Sequence, residues 1–171
     1  MPQWPVPATN CILVAGTPTF AEYECGTSSI YPGMAVQLER FPGTDYVVEP
    51  CDADGVNIIG IADLAMASQT GRGSWRKYSC IDESLDSDEN LPYITGDQVK
   101  VIWGDVIVML ILCESQTITA GEKLQCCGAV PGHVKEFTCE TASPCALIAE
   151  AMEDKATGAG ECKYIMAKLL I

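Results

Sequence analysis

The chain of 171 residues carries a net charge of −13 at pH 7, from 23 acidic and 10 basic residues. Its hydrophobic fraction of 48% and charged fraction of 19% exclude an intrinsically disordered chain and predict a globular one. The acidic excess repels phosphate backbones, so we expect no nucleic-acid partner. The longest apolar run, Val106–Cys113, is shorter than the about 20 residues of a membrane-spanning helix, so we expect no membrane partner.

Residues 1–20 are predicted to form an extended N-terminal arm. Three early prolines and a later Thr-Pro pair favour extended backbone, and a short strand over 11–15 fits within the arm. The side chain of Trp4 is costly to leave in water. We therefore expect the arm to pack on its own barrel or, in the interpretation that we favour, on a neighbouring subunit. Trp4, Pro5 and Pro7 are candidate interface residues on this basis.

Residues 21–171 are predicted to form a single β domain. Short β-branched or alternating runs are separated by turn residues, which is typical of an all-β fold, a compact antiparallel barrel or sandwich. The predicted strands cover 34–39, 46–49, 56–62, 93–103, 106–113, 134–139, 146–150 and 162–170. Gly104-Asp105 has the composition of a two-residue hairpin turn, and the apolar run after it is predicted to be buried on both faces.

A long central loop over 69–90 interrupts the predicted strands. A basic cluster with one aromatic residue, made by Arg72, Trp75 and Arg76 with their neighbours, is followed at once by an acidic run over 82–89. An aromatic residue between bases suits single-stranded nucleic acid, but the adjacent acids argue against that. Long loops commonly contact partners, and a tryptophan in such a loop is typical of an interface anchor. We therefore assign these three residues to a candidate interface, with an ordinary solvated loop as the alternative.

A short pattern occurs twice in the chain, about 88 residues apart. The first copy runs from the turn glycine Gly33 into a strand and ends on Ile-Gly-Ile-Ala before Asp63. The second copy runs from Gly121 into a strand and ends on Leu-Ile-Ala before Glu150. Because the two copies share no reactive residue, the repeat indicates architecture and not an active site.

Residues with catalytic or metal-binding chemistry are few. His133 is the single histidine and lies in a Pro-Gly-His turn without a recognisable nucleophile, so we expect a turn-tip histidine and no catalytic triad. Asp52, Asp54 and Gly55 resemble the start of a calcium loop, but the late bidentate glutamate is missing, which favours an ordinary turn. We expect no enzymatic activity, catalytic residue, metal or cofactor; a cation at the acidic run 82–89 is the alternative.

The chain has ten cysteines, a high number for its length. It contains no Cys-x-x-Cys pair, and the adjacent Cys126 and Cys127 are poorly placed to ligate one metal, so the spacing does not indicate zinc. The N-terminal residues lack the basic segment of a secretory signal, so we expect most cysteines to be buried thiols. One or more disulfides are the alternative, and the sequence leaves both open.

The frame of the two copies resembles a known family. Gly-x-x-Val or Gly-x-x-Leu enters a strand, Ile-Gly-Ile-Ala or Leu-Ile-Ala-Glu ends the unit, and Thr-Gly-Asp-Gln-Val-Lys-Val lies between the copies. This frame is similar to that of small capsid decoration (cement) proteins of tailed double-stranded-DNA viruses. The similar stretches are Gly33–Met66, Gly96–Met152 and the last strand to Leu170. The central loop and the cysteine count depart from the family pattern.

The resemblance implies a compact β-barrel or β-tulip domain on the outside of the head shell. It implies a homotrimer whose N-terminal arms reach across neighbouring capsomers, so the partners would be the major capsid protein and other copies of this chain. The location would be the capsid exterior of a virion assembled in the host cytoplasm. The alternative is a binding module for carbohydrate or a host receptor. A third hypothesis, an enzyme with a cysteine nucleophile, requires a thiol of lowered pKa beside His133.

Overall fold

The computed structural model describes residues 12–26, 30–39, 46–52, 57–63, 93, 95–138 and 147–171. All regular structure in these residues is β-strand, which confirms the predicted all-β class. The strands are β1 (Leu13–Ala15), β2 (Thr19–Cys25), β3 (Ala35–Leu38), β4 (Val47–Pro50), β5 (Ile58–Ala62), β6 (Gln98–Trp103), β7 (Ile107–Leu112), β8 (Thr117–Ile118), β9 (Lys123–Cys126), β10 (Val134–Glu136), β11 (Leu147–Ala151), β12 (Lys155–Ala156) and β13 (Lys163–Leu169). No helix capable of crossing a bilayer occurs in this part of the chain.

The strands close into two barrels of five strands each. The first barrel has the strand order β2-β4-β3-β5-β6, and β6 pairs back to β2. The second has the order β7-β10-β9-β11-β13, and β13 pairs back to β7. Strand β1 adds to β7 from outside this ring, and β8 and β12 form a separate two-stranded sheet. The barrel prediction is therefore confirmed, and the structure contains one barrel for each copy of the repeat.

The two barrels share one topology, strand for strand. In each, the two strands of the sequence repeat pair with each other antiparallel: β3 with β5 and β9 with β11. In each, the strand that follows the first repeat strand pairs antiparallel with it: β4 with β3 and β10 with β9. One parallel pair completes each ring, β2 with β4 and β7 with β10, which the prediction of antiparallel pairing did not include.

The turn that opens each copy has the same hydrogen bonds in both barrels. The amide of Gly33 donates to Ala62 O, and the amide of Gly121 donates to Ala151 O, both at 2.8 Å. Both glycines have positive φ, +91° and +94°, a conformation that is costly for residues with a Cβ. The repeated glycine therefore has a backbone role, as the sequence repeat indicated.

The connection through Gly104-Asp105 corrects one sequence prediction. It does not form a hairpin, because β6 before it belongs to the first barrel and β7 after it belongs to the second. Gly104 has φ +106°, and its amide donates to Ile171 O at 3.0 Å, at the end of the chain. The turn therefore carries the chain from one barrel to the other.

The predicted boundary between arm and domain at residue 20 falls inside β2, a strand that the sequence analysis did not predict. The described part of the predicted arm includes β1, which pairs antiparallel with β7 of the same chain. Residues 1–11 lie outside the described residues. The extended arm therefore stays a prediction for that segment.

A continuous apolar core runs through both barrels and the seam between them. Strand β7 lies at its centre, and the predicted burial of this run is strongest at Leu110, Ile111 and Leu112, all 0% exposed. Trp103 is half-buried and packs against the same core. The core is what joins the two barrels into one body.

The seam between the barrels is built around the Gly33 turn. The Tyr164 hydroxyl of the second barrel donates to Pro32 O at 2.8 Å, and the Ile111 amide donates to Gly33 O at 3.2 Å. A Cβ on Gly33 would lie 2.7 Å from Tyr164 Cε1 and 2.9 Å from Met109 O. Only glycine allows the first barrel to approach the second this closely.

Disulfides, the alternative to buried thiols that the sequence left open, occur among the described cysteines. Cys51 bonds to Cys126, and Cys113 bonds to Cys127, so four of the six described cysteines are oxidised. The first bond joins the end of β4 in the first barrel to β9 in the second. Adjacent Cys126 and Cys127 bond to different partners because successive residues of a strand point to opposite faces.

The internal repeat supplies a matched pair of substitutions that tests the seam. We expect Gly121→Ala to lower the free energy of unfolding by about 1 kcal/mol, because the substituted residue must keep φ positive but meets no atom within 4 Å. Gly33→Ala carries the same backbone cost and also clashes with Tyr164 and β7, so we expect a loss larger by about 2 kcal/mol or more. Urea unfolding of both variants measures the difference. Equal losses would show that the seam is looser than described.

Candidate interaction surface

The interface residues assigned from sequence cannot be located on the barrels. They all lie outside the described residues, as does the loop over 69–90; they are Trp4, Pro5, Pro7, Arg72, Trp75 and Arg76. Their assignment therefore stays a prediction. The described surface offers a different candidate, which the sequence analysis did not identify.

This candidate is a pair of exposed aromatic side chains on the first barrel at β2. Phe20 is 60% exposed and Tyr46 is 75% exposed, the two highest values among the large hydrophobic side chains of the described residues. Tyr46 lies beside the C-terminal half of β2, because the Glu24 amide donates to Tyr46 O at 2.8 Å, and Phe20 lies four residues before Glu24, about 13 Å along the strand. Exposed aromatic side chains are typical of contact surfaces. We call Phe20, Tyr46 and the outward face of β2 the β2 surface.

Lys100 connects the β2 surface to the interior of the first barrel. Its Nζ lies 5.3 Å from the centre of the Phe20 ring, a cation–π contact, and 2.8 Å from Asp63 Oδ2. The Asp63 side chain is 3% exposed, and its buried carboxylate is paired with Lys100 of strand β6.

Asp63 ends the first repeat copy, and Glu150 at the end of the second copy pairs with Lys123. The two acids are not equivalent in the fold: Ala62 and Ala151 occupy equivalent positions, so Asp63 corresponds to Met152. Each acid therefore pairs with a lysine of its own barrel, at a different position.

Alternation along β2 was the sequence signal that could have located this surface. Phe20, Glu22 and Glu24 are exposed, and the residues between them are more buried. This period of two is that of a strand with one face in solvent. The pattern begins within the segment assigned to the arm, next to Pro18, and was therefore missed.

His133 and Cys162 form a close pair at the second barrel. His133 is only 3% exposed, so the predicted turn-tip position is correct for the backbone, while the side chain is buried. Its Nδ1 lies 3.5 Å from Cys162 Sγ. Burial lowers the pKa of His133 to about 4, and burial followed by the nearby Glu114 carboxylate raises the pKa of the Cys162 thiol.

Both pKa shifts mean that the neutral imidazole and the neutral thiol are the favoured forms of this pair. A cysteine nucleophile requires a lowered thiol pKa, usually from a neighbouring cation. In this pair the thiol pKa is raised and the imidazole is uncharged at neutral pH. The arrangement is therefore a packed polar contact and lacks the activated thiol that the hypothesis of a cysteine enzyme requires.

Metal ligands do not converge in the described residues: no group of three or more His, Cys, Asp or Glu side chains is placed to hold an ion there. The Asp52 amide donates to Gln37 Oε1 at 3.1 Å, which anchors the start of the Asp-rich turn. The rest of that turn, 53–56, and the acidic run 82–89 lie outside the described residues. A cation at the acidic run therefore stays an untested alternative.

Comparison with known proteins finds a similar solved structure. No family model matches the chain, and no curated protein matches it. The solved N base of the head fiber protein gp8.5 of bacteriophage phi29 is similar, with a TM-score of 0.43 and 11% identity over 88% of this chain and 94% of that one. Similarity at this level does not assign a function, so the proposal that follows depends on the residues of this chain.

The buried histidine makes stability depend on pH. In the unfolded chain His133 has an ordinary pKa near 6.5, and in the folded chain its pKa is about 4. Above pH 6.5 both states are uncharged and burial carries no electrostatic cost. As the pH falls from 6.5 to 4 the unfolded state binds the proton first, so folding stability falls, by up to about 3 kcal/mol.

We expect His133→Gln to remove this part of the pH dependence. Urea unfolding at pH 7 and at pH 4.5 measures it as the difference between the two proteins, because the carboxylates titrate alike in both. The substitution itself costs stability at both pH values. If the loss between pH 7 and 4.5 is the same for both proteins, His133 is not buried in its neutral form.

Proposed function

We propose that the chain is a virion structural protein, a decoration protein that binds the outside of a capsid head shell and stabilises it through contacts between subunits. In this proposal its partners are the major capsid protein and other copies of itself, as a homotrimer. It acts on the capsid exterior, on virions assembled in the host cytoplasm. It is not an enzyme and uses no cofactor.

The observation that carries the proposal is the duplicated barrel. A decoration protein needs a rigid body with surface available for neighbours, and here two copies of one barrel are fused through a continuous core. Asp63 and Glu150, the acids near the ends of the two units, are each used in an ion pair within their own barrel. The chain's resemblance to decoration proteins lies in these same repeat residues.

The disulfides are consistent with this location. Disulfides persist on extracellular and virion surfaces and are rare in a reducing cytosol. Cys51–Cys126 crosses from one barrel to the other. In this proposal the bond would form after the particle leaves the reducing host cytoplasm.

The second candidate function is a binding module for carbohydrate or a host receptor. The exposed rings of Phe20 and Tyr46 on the β2 surface favour it, because sugar rings stack on aromatic side chains. A glycan array distinguishes the two functions. Specific glycan binding that is lost in Tyr46→Ala would favour the module, and its absence together with shell binding would favour the decoration protein.

The proposal is tested on capsid shells assembled from the major capsid protein that the same genome encodes. We expect the full chain to co-sediment with the shells and to raise their melting temperature, because a ligand of the assembled state stabilises that state alone. Light scattering of the free protein should give the mass of three chains.

A variant lacking residues 1–20 removes the predicted arm but also β1 and the start of β2, so the sharper variant is the double substitution Trp4→Ala with Trp75→Ala. We expect it to weaken shell binding at least ten-fold. The control is Leu170→Ala, which removes a hydrophobic side chain that is 43% exposed and is not among the predicted interface residues. A chain that neither co-sediments nor shifts the melting temperature would contradict the proposal.

A further inference from the structure

Three sulfurs and one imidazole lie in a row across four neighbouring strands of the second barrel. The strands are β13, β7, β10 and β9, which are neighbours in this order. The row, taken in the same order, is Cys162, Cys113, His133 and Cys127. Cys113 and Cys127 form a disulfide, and Cys162 carries a thiol.

The register of β7 and β13 brings Cys162 opposite Cys113. Lys163 pairs with Leu112 where the two antiparallel strands end, so Cys162 and Cys113 are opposed one step further along. Directly opposed residues share a face of the sheet, and their Cβ atoms lie about 4.5–5.5 Å apart. A hydrogen bond from the Glu114 amide to the Cys162 sulfur places that sulfur beside the residue that follows Cys113.

The register also brings His133 and Cys127 onto this face. Three paired residues, one on each of β7, β10 and β9, point into the core from the opposite face; they are Leu112, Val134 and Cys126. Side chains alternate along a strand, so Cys113, His133 and Cys127 face the other way. The Cys127 amide donates to His133 O at 2.8 Å, and His133 Nδ1 lies 3.5 Å from Cys162 Sγ. The thiol and the disulfide are therefore neighbours on one face.

We propose that Cys113, Cys127 and Cys162 form a three-sulfur exchange site, in which Cys113 has two alternative disulfide partners. A thiolate exchanges with a disulfide by attacking one of its sulfurs. The Cys162 thiol loses its proton, and its sulfur bonds to Cys113 Sγ. The Cys113–Cys127 bond breaks, its electron pair stays on Cys127 Sγ, and that sulfur takes up a proton. One S–S bond forms and one breaks, so the step needs no oxidant or reductant.

The neighbouring position of the sulfurs, and not an activated thiol, drives this exchange. Burial raises the pKa of the Cys162 thiol, so little thiolate is present at neutral pH. Reacting groups that the fold holds side by side react faster than free ones, which offsets part of this loss. We expect exchange within minutes to hours, the time of uncatalysed disulfide rearrangement.

Exchange moves a covalent bond from one side of β7 to the other. With Cys127 as the partner, Cys113 ties β7 to β9 across β10. With Cys162 as the partner, it ties β7 to β13, the pair of strands that closes the barrel. The thiol passes from half-buried Cys162 to Cys127, which is 4% exposed. The bond between the barrels, Cys51–Cys126, is the same in both forms because Cys126 points to the other face of β9.

Peptide mapping of the full chain separates the two forms. Cleavage after Lys and Arg places Cys113 on 101–123, Cys127 together with Cys126 on 124–135, Cys162 on 156–163 and Cys51 on 41–72. The folded chain is equilibrated at mildly alkaline pH, where more thiolate is present. Its thiols are then blocked with N-ethylmaleimide in acidic denaturant, and the digest is analysed by mass spectrometry.

We expect the unmodified chain to give both forms. In the described form, 101–123 is linked to 124–135, and the blocking group is on 156–163. In the exchanged form, 101–123 is linked to 156–163, and the mass of the blocking group shifts to 124–135. In both forms 124–135 remains linked to 41–72.

Three variants test the assignment of the sulfurs. Cys162→Ser keeps both described disulfides and should lose the exchanged form completely. Cys127→Ser should close the Cys113–Cys162 bond in a buffer of oxidised glutathione, which accepts the two electrons and two protons. Cys25→Ala is the control, because it replaces the other thiol among the described cysteines, in the first barrel; it should give both forms like the unmodified chain.

Three results would overturn the inference. The first is an unmodified chain in which 101–123 stays linked to 124–135 alone after a day of equilibration. The second is a Cys113 that exchanges chiefly with a cysteine other than Cys162. The third is a folded Cys127→Ser chain, as judged by circular dichroism, in which Cys113 and Cys162 both remain thiols. If that variant does not fold, the mapping of the unmodified chain decides alone.

Discussion

The close approach of the Gly33 turn to the second barrel is the constraint on which the rest of the structure depends. With no side chain at this position, Tyr164 and β7 lie against the turn, and the Tyr164 hydroxyl and the Ile111 amide bond to the backbone there. The equivalent turn of the second barrel, at Gly121, meets nothing within 4 Å. One repeated turn thus serves as a seam in one copy and remains at the surface in the other.

This asymmetry explains how a duplicated barrel acquires different surfaces. The seam positions the β4 end near β9, where the Cys51–Cys126 disulfide forms. The N-terminal strand β1 pairs with β7 of the second barrel, whereas in the first barrel Phe20 of β2 is exposed to solvent. The proposed role on a capsid exterior requires surfaces available to neighbours and no reactive site.

The sequence predicted the features that depend on local pattern. The repeat around Gly33 and Gly121 located the strands β3, β5, β9 and β11, because a turn glycine and alternating residues are read directly from the chain. That the two strands of each copy pair with each other was not predicted. The strand β2 was missed because its alternation begins next to Pro18, in a segment whose prolines favoured an arm. The hairpin at Gly104-Asp105 was wrong because turn composition does not reveal which sheet the next strand joins.

The remaining features depend on three-dimensional pairing. The partners of Cys126 and Cys127 could not be deduced, since cysteine spacing alone leaves many pairings open. The burial of His133 and its contact with Cys162 join a turn to a distant strand, and nothing at either position signals the other. The β2 surface is equally a product of topology, because the side chains that β2 leaves in solvent are known only once its neighbours β4 and β6 are placed.

Hydrogen–deuterium exchange of individual backbone amides tests most directly the claim that the Gly33 turn joins the two barrels. We expect the Ile111 amide, which donates to Gly33 O across the seam, to be protected in the unmodified chain. Gly33→Ala should speed its exchange, whereas Gly121→Ala, at the equivalent turn that meets no neighbour within 4 Å, should leave it unchanged. Equal protection of the Ile111 amide in the unmodified chain and in Gly33→Ala would contradict the account.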